Sequence, residues 1–284
     1  MTEEPETTDA GRTVRAFYDA LPFNFYGGAE AAAASVRRNP LSAYPDLEAL
    51  LEEPEVARVL ELGCGAGWAA NAMALHHGKQ VTGVDFTPRA LERARAVAAD
   101  LGIAARVTFT QADILALDLA ETFDLVVSIG ALHHTADCRA AFARAAAHVA
   151  PGGFLFVGLY HLHGRRPFLD LFREICATQG EEAAFARFRQ MSPERSDPTH
   201  LRSWFRDQVL NPHETQHTLA EAWSWLDAEG LALCTTNLNG YDAPDDRAAV
   251  LAAEPRFEAL SRQRNREEGR YFPGFFTILA QRPG

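Results

Sequence analysis

An apolar segment that leads directly into three glycines constrains the fold of this chain most strongly. Residues 59–67 read VLELGCGAG, so Gly63, Gly65 and Gly67 follow a strand-like run and precede a helical pattern. Glycine is needed where a backbone turns sharply and a ligand approaches it closely, because glycine has no side chain. The segment predicts a strand, a tight turn and a helix, with a ligand against the turn. A glycine triplet alone also occurs in turns that bind nothing.

Short apolar runs alternate with alanine-rich helical segments around this turn. Strands are predicted at 58–62, 80–85, 106–111, 123–129, 154–160, 231–238 and 271–281, and helices at 67–77, 88–101, 137–149 and 218–229. Such alternation is typical of a mostly parallel sheet with helices on both faces. We therefore expect an α/β protein with a doubly wound, seven-stranded sheet.

The segments outside this alternation suggest four parts of the chain. Residues 56–160 form the expected ligand-binding core, preceded by a helical segment at 1–55. Residues 161–215 show helical patterns without a clear strand, which predicts a helical cap inserted after the fifth strand. Residues 216–284 then complete the sheet. Disorder is expected only within the first dozen residues, which are acidic.

Charge and composition exclude several classes of function. The net charge is −11, which opposes the basic face that nucleic acid binding requires. The chain contains a single lysine, Lys79, outside any phosphate-loop pattern, so phosphoryl transfer and Schiff-base chemistry lack their usual groups. The start lacks the features of a secretory signal, and no apolar run reaches the length of a membrane helix. We expect a soluble, cytoplasmic protein that does not bind a membrane.

The cysteines predict neither a metal site nor a disulfide framework. Cys64, Cys138, Cys176 and Cys234 are far apart and form no CxxC pair. The histidines at 161 and 163 lie on one side of an extended chain, but no cysteine or acid stands at ligand spacing from them. No metal is therefore expected.

A carboxylate follows the second predicted strand. Asp85 stands eighteen residues after Gly67, where a doubly wound fold brings an acid within reach of ribose hydroxyls. The alternative is an acid that only starts the next helix. The adjacent Phe86 either stacks on an adenine ring or fills the core.

Five consecutive motifs together resemble the class I S-adenosylmethionine-dependent methyltransferases, most closely the small-molecule branch that includes quinone-biosynthesis enzymes. They are VLELGCGAG, VTGVDFTP, FTQADILAL, FDLVVSIGALHHT and APGGFLFV, and the resemblance covers residues 57–160. It implies a Rossmann-like methyltransferase fold, S-adenosyl-L-methionine as cofactor and S-adenosyl-L-homocysteine as product. It further implies that aromatic residues of the 1–55 segment, including Tyr18 and Tyr26, form a lid over the site.

The resemblance also assigns cofactor-binding positions. An acid at Glu61 places the methionine end, the glycines admit the cofactor, Asp85 holds the ribose, and Asp113 meets the adenine amine. The complete predicted set is Glu61, Gly63, Cys64, Gly65, Gly67, Asp85, Phe86, Ala112, Asp113, Ile129 and Gly130. The alternative role of Asp113 is that of a turn acid or helix cap.

Ligands of open α/β sheets lie beyond the carboxyl ends of the strands, so the acceptor is expected near the loops after strands four and five. His133, His134 and His217 are the candidate general bases, since imidazole titrates near neutral pH. Candidate acceptor-binding residues are Tyr18, Tyr26, Tyr160, His161 and His213, with Asp207 and Pro212 in a segment that closes over related sites. Core packing and loop hydrogen bonds are the alternative explanation for these residues.

The sequence thus predicts methyl transfer by in-line displacement to an oxygen, nitrogen or carbon of a small molecule. Three alternatives stay open. One is a reaction other than methylation on the same cofactor, one is a protein or tRNA acceptor, and one is a nicotinamide-dependent oxidoreductase, whose GxGxxG spacing is absent. The identity of the acceptor and the oligomeric state, with a homodimer as one option, are not readable from the residues.

Overall fold

A computed structural model describes residues 9–39 and 41–284. Most of the first dozen residues, for which disorder is predicted, lie outside the described residues. Within them, no helix is long and apolar enough to cross a membrane.

A seven-stranded sheet forms the centre of the described part of the chain. Its strand order is β3-β2-β1-β4-β5-β7-β6, with β1 to β5 parallel and β7 antiparallel between β5 and β6. The strands are β1 Arg58–Leu62, β2 Gln80–Asp85, β3 Val107–Gln111, β4 Phe123–Ile129, β5 Val149–Tyr160, β6 Ala232–Thr236 and β7 Phe275–Gln281. The strand order reverses between β1 and β4, which opens a crevice at their carboxyl ends. The expected doubly wound, seven-stranded sheet is confirmed.

Twelve α-helices flank this sheet in the described residues. They are α1 Asp9–Ala20, α2 Ala29–Arg38, α3 Pro45–Leu51, α4 Trp68–His76, α5 Pro88–Asp100, α6 Cys138–Ala147, α7 Leu162–Gln179, α8 Glu181–Met191, α9 Pro198–Leu210, α10 Leu219–Ala228, α11 Arg247–Ala252 and α12 Arg256–Arg262. Local chemistry sets several starts: Thr218 and Glu221 form a capping box at α10, and the Asp197 carboxylate caps α9. The helices of the segment from 239 to 270 carry no sequence prediction.

The fifth strand begins earlier than its sequence pattern predicts. Val149 already pairs with Phe123, and the register then shifts before Leu125 pairs with Phe154. The residues between the predicted helix at 137–149 and the predicted strand at 154–160 are therefore an irregularity inside β5 instead of a loop before it. Pairing with β4 on both sides of the irregularity holds these residues in the strand.

Three apolar clusters stabilise the molecule. One lies between the sheet and α2 to α5, and a second lies on the opposite face beneath α6 and α10. A third belongs to α7, α8 and α9 alone, and its largest buried members are Phe168, Phe172, Phe188 and Phe205. Each such ring stabilises the fold by roughly 1.5 to 3 kcal/mol when fully buried. The helices after β5 thus have their own core beside the carboxyl end of that strand.

Candidate functional site

The three glycines after β1 serve two different purposes. All have positive φ, at 72° for Gly63, 52° for Gly65 and 76° for Gly67. A Cβ atom on Gly63 would lie 2.1 Å from the Cβ of Ala131, and one on Gly67 would lie 2.6 Å from that of Ala94. A Cβ on Gly65 would meet nothing within 4 Å. Gly63 and Gly67 therefore permit close packing of the protein, while Gly65 presents open backbone to a ligand.

Asp85 is tied directly to this turn. The backbone N–H of Gly65 donates to its Oδ2 and that of Thr87 to its Oδ1, both at 2.8 Å. Burial raises the pKa of the Asp85 carboxyl, and these two hydrogen bonds offset part of the rise. A carboxylate has about four acceptor sites, so both oxygens keep capacity for ribose hydroxyls. Asp85 thus positions the glycine turn and also faces the crevice.

Glu61 is a buried carboxyl with an unsatisfied oxygen. Its residue is 4% exposed, and its Oε2 has no hydrogen-bond partner. Burial raises its pKa to about 8, with a further contribution from the charge of Asp85. An orphaned buried acid is costly to ionise unless a cation pairs with it. The site therefore fits a ligand with a positively charged amino group near β1.

The remaining predicted cofactor positions surround the same crevice. The Asp113 carboxylate caps a short turn by accepting from the N–H of Leu115 at 2.9 Å, which is the alternative role considered for it. The N–H of Ala112 donates to the backbone oxygen of Asp85 at 3.1 Å, which joins the ends of β2 and β3. Phe86 is half-buried, with its ring centroid 6.3 Å from that of Tyr18.

Cys64, Ile129 and Gly130 have structural contacts. Burial raises the pKa of the Cys64 thiol well above its usual range, so this thiol stays protonated. Ile129 packs partly against the core beneath α2 to α5. The N–H of Gly130 donates to the carbonyl of Gly158 at 3.1 Å, which fixes the end of β4 beside β5. None of these contacts prevents a ligand from lying against the backbone.

Two adjacent histidines occupy the turn after β4 and differ in their hydrogen bonds. The Nδ1 of His133 accepts from the N–H of Tyr160 at 3.3 Å, and burial lowers the pKa of this histidine well below its usual range. The Nδ1 of His134 lies 2.9 Å from the carbonyl oxygen of His213 and must donate to it, because a carbonyl only accepts. The Nδ1 atom therefore accepts a hydrogen bond in His133 and donates one in His134.

A buried carboxylate faces His134 from α9. Asp207 is 4% exposed, and its Oδ1 lies 3.9 Å from the Nε2 of His134. Tyr18 donates to Oδ1 at 2.6 Å, while the Gln208 amide and the Tyr160 hydroxyl donate to Oδ2 at 2.8 and 3.4 Å. The ring of Tyr18 reaches from α1 to within 6.2 Å of the His134 ring. Helices α1 and α9 thus meet the β4 turn in one polar cluster.

An ion pair between the fully buried Arg165 and the largely buried Glu214 supports this cluster, and the sequence did not predict it. Arg165 contacts both oxygens of Glu214, at 2.7 and 3.0 Å, and its guanidinium lies 3.8 Å from the ring centre of Tyr160. Burial alone would lower the pKa of Arg165, but Tyr160 and Glu214 outweigh it and hold the pKa above its ordinary value. The sequence predicted residues 161–215 only as a helical cap. The one available signal was that Arg165 stands within an otherwise apolar helix face.

The structure separates some predicted acceptor residues from this cluster. Tyr26 stacks on His200 with 4.0 Å between ring centroids and lines a small cavity near the glycine turn. His161 faces Phe257 and Phe276, whereas the preceding Tyr160 contacts the α9 side.

His217 lies beside the cluster with its ring directed elsewhere. Its Nε2 is 2.8 Å from the hydroxyl of Thr215, and its ring packs on Trp225 of α10. Burial lowers its pKa. The structure therefore brings together Tyr18, Tyr160, His133, His134 and His213, but leaves Tyr26, His161 and His217 outside the group. Among the described residues no set of side chains could hold a metal ion.

Comparison with known proteins identifies one domain within this chain. Residues 59–153 match a family profile described as a methyltransferase domain. This part of the chain is a class I S-adenosylmethionine-dependent methyltransferase domain. The matched residues include β1, the glycine turn, Asp85 and the β4 turn, which are the parts that form the crevice.

Two relatives and one solved structure illustrate the similarity. An uncharacterised protein of Synechococcus is 26% identical over 78% of this chain and 58% of its own length. A ubiquinone biosynthesis O-methyltransferase of Xanthomonas axonopodis is 29% identical over 60% of this chain and 70% of its own. An S-adenosylmethionine-dependent methyltransferase structure from Mesorhizobium loti, 24% identical, covers 90% of this chain and all of its own, with a TM-score of 0.50. The chain thus spans less than two thirds of the first of these relatives.

The site agrees with the cofactor of this methyltransferase family, S-adenosylmethionine. The unpaired Glu61 suits the amino group of its methionine end, Gly65 leaves room at the backbone, and Asp85 suits its ribose. These are observations on this chain, and they agree with the roles that the resemblance assigns. The individual residue roles stay predictions.

Proposed function

We propose that this protein transfers a methyl group from S-adenosylmethionine to a small-molecule acceptor. The proposal rests on two groups of residues that lie at the same edge of the sheet. Glu61, Gly65 and Asp85 supply what the cofactor needs, and the cluster around His134 and Asp207 adjoins them. Ala131, which packs against Gly63, begins the turn that carries His134. Small-molecule methyltransferases among the relatives support this class of acceptor.

The cofactor, when bound, supplies an activated methyl group on a sulfonium, so the protein needs no nucleophile of its own. This chain's residues would hold the methionine end at Glu61 and the ribose at Asp85. The buried cluster beyond them would orient the acceptor and exclude water. We also propose that α1 acts as the lid and α7 to α9 as the cap of this site, because Tyr18 and Asp207 join the two across it. The cytoplasmic location stays a prediction.

The test is calorimetric binding of S-adenosylmethionine and S-adenosylhomocysteine to the wild type, Asp85→Asn and Asp118→Asn. Asp118 is exposed and lies outside the crevice. We expect micromolar binding to the wild type and to Asp118→Asn. Loss of charged hydrogen bonds, at about 1.5 to 3 kcal/mol, should weaken binding to Asp85→Asn roughly 10- to 100-fold. A folded wild type that binds neither compound would refute the proposal.

Binding alone does not separate methylation from another reaction on the same cofactor. Formation of S-adenosylhomocysteine together with an acceptor that gains 14 mass units separates them. Conversion of an acceptor without S-adenosylhomocysteine would favour the alternative in which the fold uses the cofactor without methylating.

A further inference from the structure

We propose that the groove between α7 and α12 is a second binding site of this protein, and that it holds an organic phosphate monoester. The groove has a volume of about 500 Å³ and opens to solvent. The polar and charged residues that line it are Arg166, Asp170, Arg173, Gln216, Glu258 and Arg262. The groove shares none of these residues with the predicted cofactor positions, so its occupancy does not depend on methyl transfer.

The groove carries one surplus positive charge, because three arginines line it beside two carboxylates. Both carboxylates are already paired. Asp170 lies 4.0 Å from Arg173 on α7, and Glu258 accepts a hydrogen bond at 2.7 Å from Arg262 on α12. Arg166 is exposed and has no carboxylate within 4.0 Å in the described part of the chain. The net charge of the whole chain is −11, so this surplus is a local feature of the groove.

The carboxyl of Glu258 responds to this positive charge. The hydrogen bond from Arg262 lowers the pKa of this carboxyl most, and the charges of Arg262, His163 and Arg166 lower the pKa further. Desolvation of the carboxyl acts in the opposite direction and is outweighed. A ligand anion that enters the groove would meet the same arginines, and its charge would be stabilised for the same reason.

The dimensions of the groove suit a ligand larger than an inorganic ion. Arg166, Asp170 and Arg173 form one exposed stripe, because residues three and four apart lie on the same face of a helix. The two arginines of this stripe are separated by about two helical turns, or roughly 10 Å along α7. Leu169, which is 7% exposed, adds an apolar patch to the groove. Arginines can therefore hold a charged end while the groove accommodates an organic body.

Competition with the carboxylates of the groove selects a phosphate monoester. A ligand carboxylate would offer the two paired arginines no more than their own acids already offer. A phosphate monoester carries a charge of about −1.5 to −2 at pH 7 and has three strong acceptor oxygens. It can bind the unpaired Arg166 through two parallel hydrogen bonds and still attract the paired arginines. A sulfate ester has the same three oxygens but a single charge, so it is the comparison that separates charge from shape.

The groove adjoins the buried cluster of the acceptor side without being part of it. Arg165, the neighbour of Arg166 in the chain, is fully buried and pairs with Glu214. Gln216 lines the groove and donates from Nε2 to Oε1 of Glu214 at 3.0 Å. Because α7 and this ion pair lie between the groove and the cluster, the ligand of the groove is a molecule other than the methyl acceptor.

The test titrates the protein with phenyl phosphate, phenyl sulfate and inorganic phosphate, followed by NMR of the arginine Nε–H groups, with and without S-adenosylhomocysteine. Arg166→Gln, Arg173→Gln and Arg262→Gln assign the three signals of the groove. We expect phenyl phosphate to shift these signals to saturation and to bind more tightly than the other two probes. Arg166→Gln should weaken this binding about tenfold or more, because charge-assisted hydrogen bonds are lost. Arg38→Gln is the matched control, since Arg38 on α2 is also exposed and has no carboxylate partner in the described ranges.

Asp170→Asn should give a gain of binding, which damage to the fold cannot imitate. This variant removes the acid paired with Arg173 and should tighten phenyl phosphate binding about two- to fivefold. Asp118→Asn, the same change at an exposed position outside the groove, should leave the affinity unchanged. An Asp170→Asn protein that binds phenyl phosphate no more tightly than the wild type would contradict the competition between ligand and carboxylate.

Three results would overturn the binding site itself. They are groove signals that do not move with phenyl phosphate, equal affinities of Arg166→Gln and Arg38→Gln, and displacement of phenyl phosphate by S-adenosylhomocysteine, which would place the probe in the cofactor crevice. Equal affinity for phenyl sulfate or for inorganic phosphate would overturn the assignment of an organic phosphate monoester as the ligand.

Discussion

Replacing Glu61 with glutamine should stabilise the free protein at alkaline pH and weaken its cofactor binding. Burial raises the pKa of Glu61 from 4.5 to about 8, so the folded chain binds more protons than the unfolded chain between these two values. Stability therefore falls as the pH rises through this window. At 1.36 kcal/mol per pKa unit, ionised Glu61 costs the free protein up to about 5 kcal/mol above pH 8.

Glutamine removes this cost, but its own amide is buried without a full set of hydrogen bonds, which destabilises the folded protein by about 1 to 3 kcal/mol. A net gain of about 2 kcal/mol at pH 8.5 corresponds to a rise of roughly 4 to 8 °C in melting temperature. The gain should vanish or reverse at pH 5, where Glu61 is neutral in the folded chain. If Glu61 pairs with the methionine amino group as proposed, loss of its carboxylate should weaken S-adenosylmethionine binding about 10- to 100-fold.

Thermal melts from pH 5 to 8.5 and calorimetry on Glu61→Gln check both effects. Glu92→Gln, an exposed change on α5, is the control and should alter neither. Wild-type binding at pH 7 should also release protons, seen as a heat that depends on the buffer, because pairing ionises Glu61. A melting temperature that does not rise at pH 8.5, together with unchanged affinity, would refute the reasoning from burial.

Two further predictions concern residues with fixed roles in the site. Gly63→Ala should unfold or strongly destabilise the protein, because the new Cβ would lie 2.1 Å from the Cβ of Ala131. Gly65→Ala should destabilise it only by the strain of positive φ, about 1 to 2 kcal/mol, and should chiefly weaken cofactor binding. Thermal melts and binding calorimetry on the two variants distinguish these outcomes, and equal destabilisation would contradict the assignment. Arg165→Met should destabilise the protein by about 3 to 5 kcal/mol by leaving Glu214 buried without its partner. Chemical denaturation should show a smaller loss in the double variant Arg165→Met with Glu214→Gln, and an equal or larger loss there would argue against this explanation.

The sequence determined the sheet and the cofactor side of the site through local rules. Apolar runs of strand length, each followed by turn residues, predicted the parallel core. Strands that are apolar on both sides belong to a sheet whose two faces are covered by helices. VLELGCGAG placed Glu61 and the glycines, since their roles depend on one strand and one turn. Residues close in the chain stay close in the fold, so their chemistry is readable from spacing.

Tertiary structure alone decided the acceptor side. Asp207 reaches His134 across 73 positions and Tyr18 across 189, and no periodicity encodes such encounters. Successive side chains of a strand point to opposite faces of the sheet. At the end of β5, Tyr160 therefore contacts α9 and His161 contacts α12, although the sequence analysis grouped these two neighbours together. Helix packing therefore selected which polar residues share one buried space.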